Sequence, residues 1–109
     1  MKTLKFATHL IPYLLSWEKT STWRLFDDKN LSLWDELEFR NSENNQTVGY
    51  GKITSLEEKK ICKIAQRDFD GHEKFDSIEE IIKNFRKYYG DGVDENSMIK
   101  VIHFSFKKA

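Results

Sequence analysis

The sequence predicts an α+β fold, a small mixed β-barrel of five or six strands with two main helices packed on it. Alternating apolar and polar residues predict strands at 36–40 and 98–106. The segment Ser77-Ile-Glu-Glu80 matches a helix-capping box, and the apolar residues after it recur at helical spacing as far as Gly90. A chain of 109 residues is long enough for one compact domain, so we expect a single domain over residues 1–109.

The first half of the chain supplies the shorter elements of this fold. Residues 3–7 are predicted to form an edge strand. Residues 9–16 are predicted to form a short helix, with Pro12 in the first turn, where proline is tolerated. Residues 20–26 alternate as a strand, and Trp23 and Leu25 on one of its faces suit a core.

The second half is predicted to contain one long strand and the most regular helix. Turn formers at 41–46 indicate a hairpin loop, and residues 47–62 indicate a long, bent strand. Gly49 and Gly51 are its candidate bulge points. Residues 64–69 are predicted to form one helical turn. The resulting element order is β–α–β–β–β–α–β, and the last strand is expected to place Ile102, Phe104 and Phe106 on one face.

Composition limits the classes of function. The chain has 18 basic and 18 acidic residues, whereas proteins that bind long nucleic acids through their phosphates usually have an excess of basic residues. A local RNA-binding patch or a small neutral ligand such as a nucleoside remains compatible with this balance. The single cysteine, Cys62, excludes an internal disulfide and fits a cytoplasmic protein. We interpret Cys62 as a small apolar residue in a strand.

Neither a membrane segment nor a metal site is expected. The sequence contains no apolar run of the length needed to span a bilayer. The three histidines, His9, His72 and His103, do not have metal-ligand spacing. We therefore expect no metal, no cofactor and no membrane partner.

The candidate site begins with four polar residues between positions 19 and 24. On the predicted strand, Thr20, Thr22, Arg24 and Phe26 share the face opposite Trp23. Hydroxyl and guanidinium groups suit a groove or pocket better than a core, although an exposed edge strand would carry the same residues. Lys19 differs in parity from Thr22, so its side chain must extend from the turn before the strand.

Glu73 is the candidate acidic partner. It precedes the capped helix and is either a solvated loop residue or a carboxylate that meets Lys19 and Thr22 in space. A lysine and a glutamate beside a hydroxyl can relay its proton.

Three segments together resemble one known family. Trp17-Glu-Lys-Thr-Ser-Thr-Trp-Arg24 is similar to a Gly-x-Lys-Thr-x-Thr-x-Arg motif, and residues 31–39 are similar to a Gly-Asp strand entry. Residues 88–90 and 101–104 are similar to a final helix and strand. This combination resembles the ASCH domain family, whose fold is similar to that of PUA domains.

The resemblance implies a PUA-like β-barrel with a cleft that faces RNA or a modified nucleoside. Some bacterial members are amidohydrolases that remove the acetyl group of N4-acetylcytidine with a lysine, a threonine and a glutamate. By position these correspond to Lys19, Thr22 and Glu73. The ligand-binding residues would then be Thr20, Arg24 and Trp17.

Two tryptophans depart from the family pattern, because Trp17 and Trp34 stand where glycine is usual. If these turns require positive φ, each tryptophan costs roughly 1–2 kcal/mol. The double replacement suggests an engineered variant. Both residues lie in polar turns, so we predict that at least one is substantially exposed and covers the site, stacks on a ligand or supports self-association.

Three hypotheses follow. The first is a cytoplasmic ASCH-type domain that binds a modified nucleoside or RNA beside residues 19–24 and hydrolyses N4-acetylcytidine to cytidine and acetate. The second is a non-catalytic RNA-binding module that uses Lys19, Arg24, Lys52 and stacked aromatic residues. The third is an engineered scaffold whose interface or pocket is formed by Trp17 and Trp34.

Overall fold

The computed structural model describes residues 1–25 and 29–109, so Phe26, the last residue of the predicted 20–26 strand, lies outside the described residues. Within these residues the strands are β1 (Lys2–Phe6), β2 (Ser21–Leu25), β3 (Glu36–Asn41), β4 (Thr47–Lys60), β5 (Met98–Phe104) and β6 (Lys107–Lys108). The α-helices are α1 (Ile11–Leu15) and α2 (Ile78–Tyr89). Short 3₁₀ turns cover Thr8–Leu10, Ile61–Lys63 and Gln66–Phe69. The predicted α+β class is confirmed.

The strands form one curled sheet in the order β1-β3-β4-β5-β2, with β6 paired to β4. β1 runs parallel to β3, and the other pairs are antiparallel. In the part of the chain that the structure describes, the edge strands β1 and β2 do not pair with each other, so the sheet is a half-barrel and not the closed barrel that was predicted. The candidate site lies where these two edges face each other.

The long strand β4 is confirmed, and Gly49 lies at an irregularity as predicted, but Gly51 has another role. The β3–β4 register shifts opposite Thr47 and Gly49, and the β4–β5 register shifts between Ile53 and Ser55. Gly51 lies at neither irregularity. A Cβ atom at Gly51 would overlap the Ser105 carbonyl oxygen, so this glycine allows the C-terminal segment to approach β4 closely.

Two apolar cores pack on opposite faces of β5. Ile102 and Phe104 belong to a first core with β1, β3 and α1, whereas Ile99 and Val101 belong to a second core with β2 and α2. The prediction of one buried face for the last strand was therefore incomplete, because both faces of this strand are covered. Phe106 lies beyond the end of β5 and packs against the first core.

The helices largely follow their predicted limits. The Ser77 hydroxyl oxygen accepts a hydrogen bond from Glu80 N at 3.1 Å, and Gly90 ends α2 with φ +88°. The N-terminal helix begins as a 3₁₀ turn before α1, which carries Pro12 in its first turn. None of the helices built from the described residues is both long and apolar enough to cross a bilayer.

The strand interpretation of Cys62 is wrong. β4 ends at Lys60, and Cys62 lies exposed in the 3₁₀ turn that follows. The reason is tertiary: Ile61 is fully buried in the second core, and the 3₁₀ turn that begins there leaves Cys62 exposed.

Candidate functional site

A cavity of about 350 Å³ opens between the two edge strands. Its wall combines the end of β1, the middle of β2, the loop before α2 and one side of α2. The residues with polar side chains that line it are Lys5, His9, Lys19, Thr22, Arg24, Ser42, His72, Glu73, Asn84, Tyr88 and Tyr89. Apolar walls come from both cores, with Phe6 from the first and Trp23 and Phe85 from the second. The cavity therefore lies at the junction of the two cores.

An ion pair between buried Lys19 and half-buried Glu73 lines this cavity. Lys19 is only 4% exposed, and its Nζ lies 2.6 Å from Glu73 Oε2. Lys19 N donates to the Tyr13 carbonyl oxygen at 3.0 Å, so Lys19 belongs to the turn that follows α1. This agrees with the prediction that its side chain extends from the turn before the strand. The structure thus brings together two predicted site residues that are 54 positions apart.

Burial sets the charge state of the pair. Desolvation lowers the pKa of Lys19, and the charge and hydrogen bond of Glu73 offset only part of this shift. Burial alone would raise the pKa of Glu73, but the electrostatic interactions with His72 and Lys19 and the hydrogen bond from Lys19 outweigh it and lower that pKa. A lysine with a lowered pKa has a larger neutral fraction than a solvated one, and only the neutral amine can accept a proton.

Thr22 and Arg24 lie on the cavity face of β2, as predicted. Arg24 Nε donates to Thr22 Oγ1 at 3.1 Å, and Arg24 Nη2 donates to the Lys5 carbonyl oxygen at 3.0 Å. The guanidinium lies over the Phe6 ring, 4.9 Å from its centroid. Arg24 therefore joins the two edge strands and fixes the position of the threonine hydroxyl, whose own proton remains available for donation.

His72 is the site residue that sequence reasoning missed. Its ring stacks on Trp23, with centroids 3.9 Å apart and planes 9° from parallel. Its Nδ1 lies 2.9 Å from the Glu73 carbonyl oxygen. Burial, reinforced by the charge of Lys19, lowers the pKa of His72 to about 4. The only sequence signal was its place beside Glu73 and after Gly71.

A second cavity, of about 430 Å³, adjoins the first. Lys19, His72 and Glu73 line both cavities, while Tyr13, Glu18 and Lys74 line only the second. The Lys19–Glu73 pair thus separates two adjoining spaces. Among the residues that the structure describes, no group of three or more His, Cys, Asp or Glu side chains is placed to hold a metal ion.

The comparisons with known proteins identify the fold. No family model matches the chain, and no curated protein matches it. An ASCH domain structure from Lactobacillus crispatus superimposes with TM-score 0.73, at 13% identity over 99% of this chain and 80% of that one. The fold is that of ASCH domains.

Two further solved structures agree with this result. A DUF984 protein from Enterococcus faecalis gives TM-score 0.75 at 15% identity, over 92% of this chain and 71% of that one. ASCH from Zymomonas mobilis gives TM-score 0.64 at 9% identity, over 94% of this chain and 65% of that one. At these identities the similarity concerns the ASCH fold.

The two tryptophans hold glycine-like positions in this ASCH fold. Trp17 has φ 60° and Trp34 has φ 69°, in the left-handed region that favours glycine. They are 54% and 64% exposed, which confirms the predicted exposure. Trp17 Nε1 donates to the Phe106 carbonyl oxygen at 3.0 Å, and Lys108 Nζ lies 5.8 Å from the Trp17 ring centroid.

Two predicted ligand-binding residues lie outside the described lining of the first cavity. Trp17 packs on the C-terminal segment instead. Thr20 is half-buried against Gly71 at the entrance to β2. Lys52, assigned to an RNA surface in the second hypothesis, pairs with Glu36 across β3 and β4 and is likewise outside this lining. The first cavity thus contains Lys19, Thr22, Arg24 and Glu73 of the predicted site.

Proposed function

We propose that this ASCH-fold chain binds a modified nucleoside, free or within RNA, in the cavity beside β2. The observation that carries the proposal is the ion pair between buried Lys19 and half-buried Glu73 on a cavity wall shared with Thr22. A volume of about 350 Å³ is in the range of small-molecule sites, and Phe6 and Trp23 supply aromatic wall of the kind that accepts a base.

The finer proposal is hydrolysis of N4-acetylcytidine. Thr22 Oγ1 attacks the acetyl carbon while neutral Lys19 takes the hydroxyl proton. Glu73 returns that proton to the departing cytidine amine as the C–N bond breaks. Water then attacks the Thr22 acetyl ester while Lys19 takes a proton from it. As the bond between the acetyl carbon and Thr22 Oγ1 breaks, Lys19 returns that proton to Thr22 Oγ1, and acetate is released. Glu73 orients the Lys19 amine throughout. The net reaction consumes one water and yields cytidine and acetate.

Two features of the site support this chemistry. Burial lowers the pKa of Lys19, which raises the neutral fraction that a general base requires. Arg24 Nε already donates to Thr22 Oγ1, and the same hydrogen bond stabilises negative charge that develops on this oxygen during attack.

The test is release of cytidine from N4-acetylcytidine, followed by liquid chromatography. Thr22→Val removes the nucleophile with little change in volume, and Lys19→Ala removes the base. Each should lower kcat/KM by roughly three orders of magnitude or more. Thr54→Val makes the matched substitution at an exposed position on β4 and should retain activity. Hydrolysis unchanged in Thr22→Val would remove Thr22 from the mechanism.

A second candidate function is RNA binding without catalysis. Lys5, Lys19 and Arg24 face this cavity with Glu73 as the single acidic residue of its described lining, which gives a local cationic excess despite zero net charge. A short RNA with one N4-acetylcytidine should bind more weakly as salt rises, because phosphate contacts release counterions. Binding without hydrolysis by the unmodified protein would favour this function.

The remaining expectations are part of the same proposal. We propose that residues 1–109 act as one ASCH-type domain in the cytoplasm, for which the single, exposed Cys62 is compatible with a reducing compartment. Self-association through Trp17 or Trp34 and an engineered origin of these two residues stay predictions. Their positive φ values and exposure support a use beyond packing within the chain.

A further inference from the structure

We propose that Gly71 is a positioning residue that allows the 70–73 loop to dock on the start of β2, so that the Glu73 carboxylate reaches Lys19. The inference deepens the proposed function, because it concerns the same ion pair. It predicts that a substitution at Gly71, which is two residues from Glu73, changes the site without touching either charged group.

Main-chain contacts dock the loop. The Gly71 carbonyl oxygen accepts hydrogen bonds from Thr20 N at 2.9 Å and from Ser21 N at 3.2 Å. The Ser21 hydroxyl donates to the Asp70 carbonyl oxygen at 3.2 Å. Ser21 is fully buried, so its side-chain bond is shielded from water. These three bonds attach the loop to the residues that directly follow Lys19.

Only glycine fits at the centre of this contact. Gly71 has φ +69°, a conformation that other residues adopt at a cost. In addition, a Cβ atom there would overlap Thr20 Oγ1 and lie 3.1 Å from Thr20 N. A side chain at position 71 must therefore push the loop away from β2 or force Thr20 to move.

The ion pair is sensitive to such a displacement. Lys19 Nζ and Glu73 Oε2 are 2.6 Å apart, and a shift of about 1 Å would lengthen the contact beyond a hydrogen bond. His72 Nδ1 bonds to the Glu73 carbonyl oxygen within the same loop, so the histidine contributes to its internal geometry. Lys19 would remain buried but would lose its carboxylate partner.

Loss of the Glu73 carboxylate should shift the pKa of Lys19 in a defined direction. Glu73 raises the pKa of Lys19, whereas burial and the charge of Arg24 lower it. When Glu73 moves away, the pKa of Lys19 should fall further below its value in the unmodified protein. A change that only loosened the fold and admitted water would move this pKa upward instead, toward that of a solvated lysine.

The experiment measures the pKa of Lys19 by carbon NMR of labelled lysine side chains, in the full chain without ligand. Lys19→Arg assigns the signal. Gly71→Ala and Glu73→Gln should each make Lys19 roughly tenfold more acidic. Gly90→Ala is the matched control, because Gly90 also has positive φ (+88°) but has open space where a Cβ would lie. Its Lys19 pKa should equal that of the unmodified protein.

A second pair of variants covers the case in which Gly71→Ala does not fold. Ser21→Ala removes only the hydroxyl bond to Asp70 and should lower the Lys19 pKa in the same direction by a smaller amount. Thr20→Ala combined with Gly71→Ala removes the overlapping hydroxyl and should restore part of the shift. An unchanged or raised Lys19 pKa in folded Gly71→Ala, or in Ser21→Ala where the first variant is unfolded, overturns the proposal.

The readout separates this inference from the proposed function. The Lys19 pKa is measured in the absence of substrate, so it reports on positioning even where N4-acetylcytidine is not hydrolysed. If the Lys19 pKa changes as expected but N4-acetylcytidine is not hydrolysed, the catalytic proposal is refuted and the positioning role of Gly71 stands. Where hydrolysis occurs, the limb of the pH profile that reports Lys19 should move in Gly71→Ala and stay in place in Gly90→Ala.

Discussion

Acidification should destabilise this protein through His72, well above the pH at which most carboxylates titrate. The His72 side chain is 7% exposed, and its ring is fixed between Trp23 and the Lys19–Glu73 pair. Burial, with the charges of Lys19 and Arg24, lowers its pKa from 6.5 to about 4, while the Glu73 carboxylate only partly opposes this. At mildly acidic pH, His72 is therefore protonated in the unfolded chain but stays neutral in the folded protein.

The magnitude follows from the linkage between proton binding and folding. Stability is unaffected above the unfolded pKa of 6.5 and falls as the pH drops toward 4, because the unfolded state binds more protons in that interval. The His72 contribution should reach a loss of about 2 kcal/mol at pH 5 and about 3 kcal/mol near pH 4. This change in stability on acidification is opposite in sign to the one that a histidine stabilised by a nearby carboxylate contributes.

Urea unfolding at pH 7 and pH 5, followed by tryptophan fluorescence, measures this loss. His72→Gln cannot take up a proton and should lose about 2 kcal/mol less than the unmodified protein between these pH values. His103→Gln makes the same substitution at a half-buried histidine on β5 and should keep the full loss. Equal losses in the unmodified protein and in His72→Gln would refute the assignment of a neutral, buried His72.

Three further predictions concern the turns and the glycines. Trp34→Gly should raise the free energy of unfolding by about 1 kcal/mol through relief of positive φ, whereas Trp17→Gly should gain less because its bond to the C-terminal segment is lost. Gly51→Ala should lower the free energy of unfolding by about 2 kcal/mol, because its Cβ would overlap the Ser105 carbonyl oxygen. Gly92→Ala has open space at its Cβ and should change the free energy of unfolding little. Both comparisons use urea unfolding. If the exposed indoles mediate self-association, sedimentation should show a salt-tolerant oligomer that either Trp→Gly change weakens; a monomer at all salt concentrations would contradict this.

Elements governed by short-range chemistry were predictable from the sequence. The Ser77 cap, the helical spacing after it and Gly90 fixed the limits of α2, because capping and periodicity depend on residues within a few positions of one another. The same holds for the alternation over 36–40, which predicted the strand that the structure shows as β3, with Leu37 and Phe39 buried. The family resemblance marked Trp17 and Trp34 as positions where glycine is usual but left their φ open, and the backbone has positive φ at both.

Features that depend on distant segments were predicted less well. Cys62 was assigned to a strand because the polar and apolar pattern continues past Lys60, yet burial of Ile61 in the second core turns the chain there. β5 was assigned one apolar face, but α2 covers its other face as well. The half-barrel likewise depends on how far the two edge strands approach each other, which strand patterns do not encode.

The sequence by itself determined the residue types of the candidate site and the elements that carry them. Only the tertiary structure decided which groups meet, because Lys19 and Glu73 lie 54 positions apart and their contact depends on docking of the 70–73 loop. Tertiary structure also made His72 part of the site, since its neutral state arises from burial against Trp23. Burial and partner choice are properties of the packed chain, and they set the chemistry of these side chains.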